Sequence, residues 1–186
     1  MFTKIYKALL ALSNLAINGK AVIPAKTYNG TDVYLGANSS VPPIRSMGLL
    51  GVGFMGGHTP SSSNNTGYYF GIGDTAPTED DYKLDTYFSN SSILSGNLVF
   101  NSQYISNNKV YSDIILVVIN TSDTTQTIKE IGIFTDVYYS STENASASSH
   151  TGMLIYREVF SEPIVLNSLE AKSIKLSFST NIVSAS

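Results

Sequence analysis

Residues 173–183 read SIKLSFSTNIV, with Ile174, Leu176 and Phe178 alternating against Lys175, Ser177 and Ser179. Successive side chains of a strand point to opposite faces, so this spacing predicts a half-buried strand. Working outward, residues 114–119 (IILVVI) form the most apolar run. A run without alternation is expected at the centre of a sheet, buried on both faces. Further strands are expected at Tyr68–Ile72, Ile93–Phe100, Val110–Asn120, Thr127–Thr135 and Met153–Phe160, with Pro163 as a break and a short continuation over Ile164–Leu166. Met47–Met55, apolar but punctuated by Gly, reads as one more. Polar loops are expected at 56–67 and 138–152.

Helical signals are few. Phe2, Ile5, Leu9, Leu12 and Ala16 follow helical spacing, so residues 1–20 are expected to hold a helix ending near Gly19. Residues 21–45 are dense in turn signals, with Asn29-Gly30, Gly36 and Pro42-Pro43, and read as an extended arm in which Pro24 stops a short strand. A helical turn is expected near residues 78–84 (TEDDYKL), capped by Thr78 with Asp81 three positions on. The expected fold is mainly β: an antiparallel β-sandwich, jelly-roll or Ig-like, as one domain over residues 1–186.

Composition narrows the function. The net charge is -3 and only 13% of residues are charged, about half the usual quarter. The eleven Lys and Arg form no cluster, which argues against nucleic acid as the main partner. With no cysteine, disulfides, thiol catalysis and Cys-based zinc sites are excluded. No stretch reaches the ~18–20 apolar residues that span a bilayer, and the first seventeen residues are too interrupted for a signal peptide, so no membrane partner is expected. Twelve Tyr and eight Phe suit protein contact surfaces.

Candidate chemistry is sparse. His58 and His150 lie in Ser-rich segments with no nucleophile-elbow pattern nearby, and read as solvated. Asp74, Glu79, Asp80 and Asp81 could offer oxygen ligands to Ca²⁺, but their spacing does not match the calcium loop, and capping explains Thr78 and Asp81 without metal. Gly71-Ile72-Gly73 lacks the third glycine of a dinucleotide loop. Glu130 and Arg157 each interrupt an apolar strand. They either pair as a structural ion pair between neighbouring strands or both face solvent. No catalytic residue, cofactor or metal is expected, and the chain reads as a non-enzyme.

Three segments carry a likeness to a known group: FGIGDTAPTEDDYKL (70–84), IKEIGIF (128–134) and MLIYREVFSEPIVL (153–166), followed by the terminal amphipathic strand. In that order they resemble uncharacterised structural proteins of tailed bacteriophages. The resemblance spans residues 68–183 and implies a sandwich-like subunit of the tail, neck or fibre-attachment region. It would be made in the host cytoplasm, located in the virion, and assembled with copies of itself and other virion proteins as a homo-oligomer. A capsid decoration or head-fibre protein is an alternative. A carbohydrate- or receptor-binding module is another, with Tyr68, Tyr69, Tyr138 and Tyr139 as stacking candidates.

Overall fold

The computed structural model describes residues 1–15, 22–36, 67–88, 93–142 and 149–181. One short helix and antiparallel sheets make up the fold: α1 (Lys4–Leu15), β1 (Val22–Lys26), β2 (Asp32–Gly36), β3 (Gly67–Gly71), β4 (Ile93–Ser106), β5 (Lys109–Asn120), β6 (Gln126–Tyr139), β7 (Ser149–Leu166) and β8 (Ala171–Asn181). The expected strand at Met47–Met55 lies outside the described residues. The chain gathers into two compact units: Met1–Ser91 with Thr127–Val165, and Ser92–Gln126 with Leu166–Ser186. The expectation of one domain rests on the lack of a composition shift. Interleaved units leave no such shift, because no linker separates them along the chain.

The first unit is built on the sheet β3-β6-β7. β6 is its centre, and Ile131, Ile133, Phe134 and Val137 are all fully buried. On one face Tyr69, Leu84, Phe134 and Leu154 form a core, with Tyr28 and Tyr87 packed against it. Tyr69 and Phe134 meet edge to face, 5.1 Å between ring centroids. Gly132 is needed here, because a Cβ would lie 2.7 Å from Leu84 Cδ2 and 2.9 Å from Leu154 Cδ1. The free edge of β7 is taken by the first residues of the chain: Arg157 N–H donates to Met1 O (3.0 Å) and Thr3 N–H to Ile155 O (3.1 Å). Thr3 then caps α1, its Oγ1 accepting from Tyr6 N–H. Ile5 and Leu9 are buried, so α1 packs on its own chain.

Four expectations are corrected in this unit. Residues 22–36 are a β-hairpin rather than an extended arm, and Pro24 lies inside β1 instead of ending it. Pro24 faces Tyr34, whose N–H and C=O both turn away to Ser140 (2.9 Å each), so this pair needs no ladder bond and the missing proline N–H costs nothing. At the turn, Gly30 takes a positive φ of 86°, where glycine carries no steric penalty. Second, residues 78–84 form a turn and no helix. Thr78 and Asp81 do bond, N–H to Oδ2 at 2.9 Å and Oγ1 to Oδ1 at 2.8 Å. However, Asp81 is also drawn to Arg157, and the chain turns inward at buried Leu84. Third, β7 runs through Pro163 to Leu166; the proline is exposed on an edge strand, where it is tolerated. The loop expected over 138–152 is shorter too, since β6 reaches Tyr139 and β7 starts at Ser149.

The second unit is the sheet β4-β5-β8. β5 is central, as its apolar run suggests, but burial alternates: Ile114, Leu116 and Val118 are buried while Ile115, Val117 and Ile119 are only partly covered. β4 and β5 turn at Asn107-Asn108, both at positive φ (48° and 59°), with Ser106 opposite Lys109. Two residues at positive φ are what a two-residue hairpin needs, so β4 extends past Phe100 to Ser106. β8 alternates as read, with Ile174 and Leu176 buried and Lys175 exposed.

At one end of this unit, Asn120 ties two turns together. Its side-chain amide donates to the carbonyls of Thr124 (2.8 Å), Leu166 (3.1 Å) and Asn167 (2.9 Å), and its Oδ1 accepts from Ser122 N–H and Oγ. Asn120 is fully buried. Asn120→Ala should therefore lower the unfolding free energy by about 2 kcal/mol, read from the urea midpoint, because the buried Leu166 carbonyl and two partly buried carbonyls lose their donor.

Candidate functional site

The three motif segments converge at Glu130. In the register of β3 and β6, Gly71 lies opposite Glu130, on the face that carries Tyr69, Gly132 and Phe134. The segment 73–86 then folds back over the carboxylate. Oε1 accepts from Gly73 N–H (3.2 Å) and Thr86 N–H (2.9 Å); Oε2 accepts from Asp85 N–H (3.2 Å) and from Arg157 Nε (2.8 Å). Glu130 is 0% exposed and Arg157 3%. The rest of the guanidinium is used as well: Nη1 donates to Asp81 Oδ2 (2.7 Å) and Nη2 to Thr75 O (3.1 Å). The alternative in which both charges face solvent is thereby excluded.

Ionic groups in a protein interior persist when their charge is paired and their lone pairs are met. Glu130 meets both conditions with four donors. It acts as an internal anion around which backbone N–H groups are gathered, much as a loop gathers around a phosphate. This explains the two flanking glycines of the GIG triplet. A Cβ on Gly71 would lie 2.4 Å from Glu130 Oε1 and 2.5 Å from Thr86 O, and one on Gly73 would lie 2.6 Å from the same Oε1. The triplet cradles a side chain of its own protein. Nothing in the sequence links Gly71 and Gly73 to a residue nearly sixty positions on. The charge interrupting EIGIF is the one available signal.

Burial on its own would raise the Asp81 carboxyl, but hydrogen bonds from Arg157 and Thr78 outweigh it and hold the group below its ordinary value of 3.8. A carboxyl depressed in the folded state adds stability that is complete above its unfolded value and is lost as pH falls through the folded one. Unfolding free energy should thus drop as pH falls below about 4, and Asp81→Asn should flatten that part of the pH profile, as followed by urea titrations.

The other candidates are dispersed. Asp74 pairs with Lys129 (3.0 Å), Glu79 with Lys7 and Asp80 with Lys4 (2.5 Å each), so the four acidic residues go to four different cations. Among the described residues no group of three or more His, Asp or Glu could hold a metal ion. Tyr68 and Tyr69 are fully buried and cannot stack on a sugar; Tyr138 and Tyr139 are half-buried. Burial also pushes the phenols of Tyr68 and Tyr69 up to about 12. His58 lies outside the described residues. His150 is on β7 and its Nδ1 lies 3.0 Å from Asp136 Oδ1, a pairing with no sequence signal and a departure from the solvated reading.

An open groove borders the ionic network and shares Asp81 with it. It has a volume of about 600 Å³ and lies between α1, the β1–β2 hairpin and the turn at 79–82. Ile5, Ala8, Ile23 and Val33 form its apolar lining, with Tyr82 beside them. The Lys4–Asp80 and Lys26–Asp32 ion pairs stand at its rim. No helix among the described residues is long and apolar enough to cross a membrane. No protein-family model, curated protein or solved structure matches this chain.

Proposed function

We propose that this chain is a non-enzymatic structural subunit of a bacteriophage virion, working by protein–protein contacts in the tail or neck as a ring, adaptor or fibre-attachment component. One observation carries the reading. The segments that resemble phage structural proteins meet at a single place, and the conspicuous charges among them, Glu130, Arg157 and Asp81, are consumed in holding the fold. Residues of that kind at a catalytic centre would be turned toward a substrate. Here Glu130 has four protein donors and no exposure. The motifs are then the signature of a scaffold, and an antiparallel β-sandwich of jelly-roll or Ig-like type is the architecture that goes with it.

The surface chemistry supports the same reading. A chain with few charges loses little in desolvation when copies dock side by side. Closed symmetric assembly also covers sheet edges, the recurring liability of β proteins. The expected partners are copies of itself and other virion proteins, in the virion, with no cofactor. Light scattering and electron microscopy of the purified chain test this: a ring or closed homo-oligomer is expected. A chain that stays monomeric at millimolar concentration, alone and with purified particles lacking it, would overturn the reading.

A further inference from the structure

Asp113 stands on the outer face of β5, while Ile114, Leu116, Ile174 and Leu176 fill the opposite face of the same sheet. An acidic side chain on an outer face is expected to be open to water, yet Asp113 is only 2% exposed. One of its oxygens is accounted for: Oδ2 accepts from Lys175 Nζ at 2.7 Å. The other, Oδ1, is buried and has no hydrogen-bond partner. A buried acceptor left unmet costs free energy, and in a native protein it asks for a reason.

Its neighbours on that face supply one. β4 and β5 put Tyr104 opposite Tyr111, with their rings stacked at 5.0 Å and 7° from parallel. Tyr111 is two residues from Asp113, about 7 Å along the strand. Tyr104 is 43% exposed, so the pair presents a ring to solvent. From β8, Ser177 lies opposite Asp113, and Lys175 shares the face. The Lys175 amine is held above its ordinary value of 10.5, first by Asp113 and in part by the Tyr104 phenol, so aromatic pair, amine and carboxylate form one cluster.

We propose that this cluster binds a neutral saccharide, the sugar ring lying on Tyr104 and one of its hydroxyls donating to Asp113 Oδ1. Lys175 already neutralises the carboxylate, so a cationic ligand gains little there and faces the ammonium. A wholly apolar ligand leaves Oδ1 unmet. A sugar offers what remains: C–H groups for an aromatic face and hydroxyl donors for an acceptor oxygen. Lys175 is half-exposed on a flexible stem, and it is the side chain that can swing to admit the hydroxyl. This function goes beyond self-assembly and does not depend on it.

Saturation-transfer NMR on the intact chain tests it, with the methyl glycosides of glucose, galactose, mannose and N-acetylglucosamine as probes, beside an array of neutral glycans. Binding in about the millimolar range is expected, as suits an open face. Signal with the methyl glycosides places one ring in the site; signal on the array alone places a longer glycan there. Tyr104→Ala should melt close to the parent and bind about tenfold more weakly or worse. Asp113→Leu replaces both oxygens with apolar atoms and releases Lys175 to water, so it should hold the parent melting temperature and again lose about tenfold or more in binding. Ile105→Ala, next to Tyr104 in sequence but on the opposite face, should bind as the parent does. The saccharide site is wrong if no neutral sugar binds in either assay, if N-acetylarginine amide binds where no sugar does, or if binding survives both Tyr104→Ala and Asp113→Leu. Should Asp113→Leu fail to fold, Tyr104→Ala decides alone.

Discussion

Glu130→Gln should lower the stability of the protein by about 3–5 kcal/mol, a large share of the ~5–15 kcal/mol typical of a folded domain. The substitution keeps the shape of the side chain. It places an NH₂ against donors at one oxygen or the other, either the N–H groups of Gly73 and Thr86 at Oε1 or Asp85 N–H and Arg157 Nε at Oε2, and it leaves the Arg157 guanidinium, 3% exposed, with only Asp81 as a charged partner. Arg157→Met should be as damaging in its own way, since it strands a carboxylate that has no access to water. The double variant Glu130→Gln/Arg157→Met should be more stable than the sum of the two losses requires, by ~1–3 kcal/mol. Urea unfolding of the four proteins closes the cycle; strictly additive losses would mean that the two charges do not act on each other.

The second large effect is expected at the GIG triplet. Gly71→Ala should cost about 3 kcal/mol or more, because its Cβ meets a backbone carbonyl, Thr86 O at 2.5 Å, as well as Glu130 Oε1. A backbone atom cannot swing aside as a side-chain tip can, so the 73–86 segment must lift off the carboxylate. Gly73→Ala should act in the same direction through Asp85 Cβ, 2.4 Å away. Ile72 between them is 45% exposed, and Ile72→Ala should fall within ~0.5 kcal/mol of the parent. Thermal melts of the three variants read the pattern. Equal tolerance at 71, 72 and 73 would remove the anion cradle from the account of this segment.

How much the sequence discloses depends on the reach of each physical signal. Period-two alternation is local, so β8 and the central place of β5 are legible from Ile174, Leu176 and the IILVVI run. The helical spacing of Ile5 and Leu9 is legible for the same reason, but Phe2, read with them, precedes α1 and bridges to Tyr156 along β7, and Ala16 and the expected stop at Gly19 lie outside the described residues. The hairpin at 22–36 is hidden because Pro24 and Asn29-Gly30 read as breakers. Only the non-local bonds of Tyr34 to Ser140 show why a proline is harmless there. The turn at 78–81 shows the limit of a capping motif: the Thr78–Asp81 bonds form as the spacing suggests, but Arg157, seventy-six residues on, sets the path of the chain beyond them. Of the ionic site, the two strand-interrupting charges can be picked out. The donors around them belong to backbone atoms, which every residue carries, and so leave no trace in the alphabet.

The interleaving of the two units bears on how the polypeptide emerges from the ribosome. Residues 1–91 belong with 127–165, and 92–126 belong with 166–186. At ~5–20 residues per second, roughly 4–15 s of translation separate the end of the first segment from the last residue it needs. When that interval begins, Gly73, Asp85 and Thr86 have been made but Glu130 and Arg157 have not, so the loop waits for an anion still to be synthesised. A nascent chain stalled between residues 130 and 157 would hold the carboxylate without its cation. Cotranslational maturation of this protein is accordingly expected as one late event rather than as two successive ones.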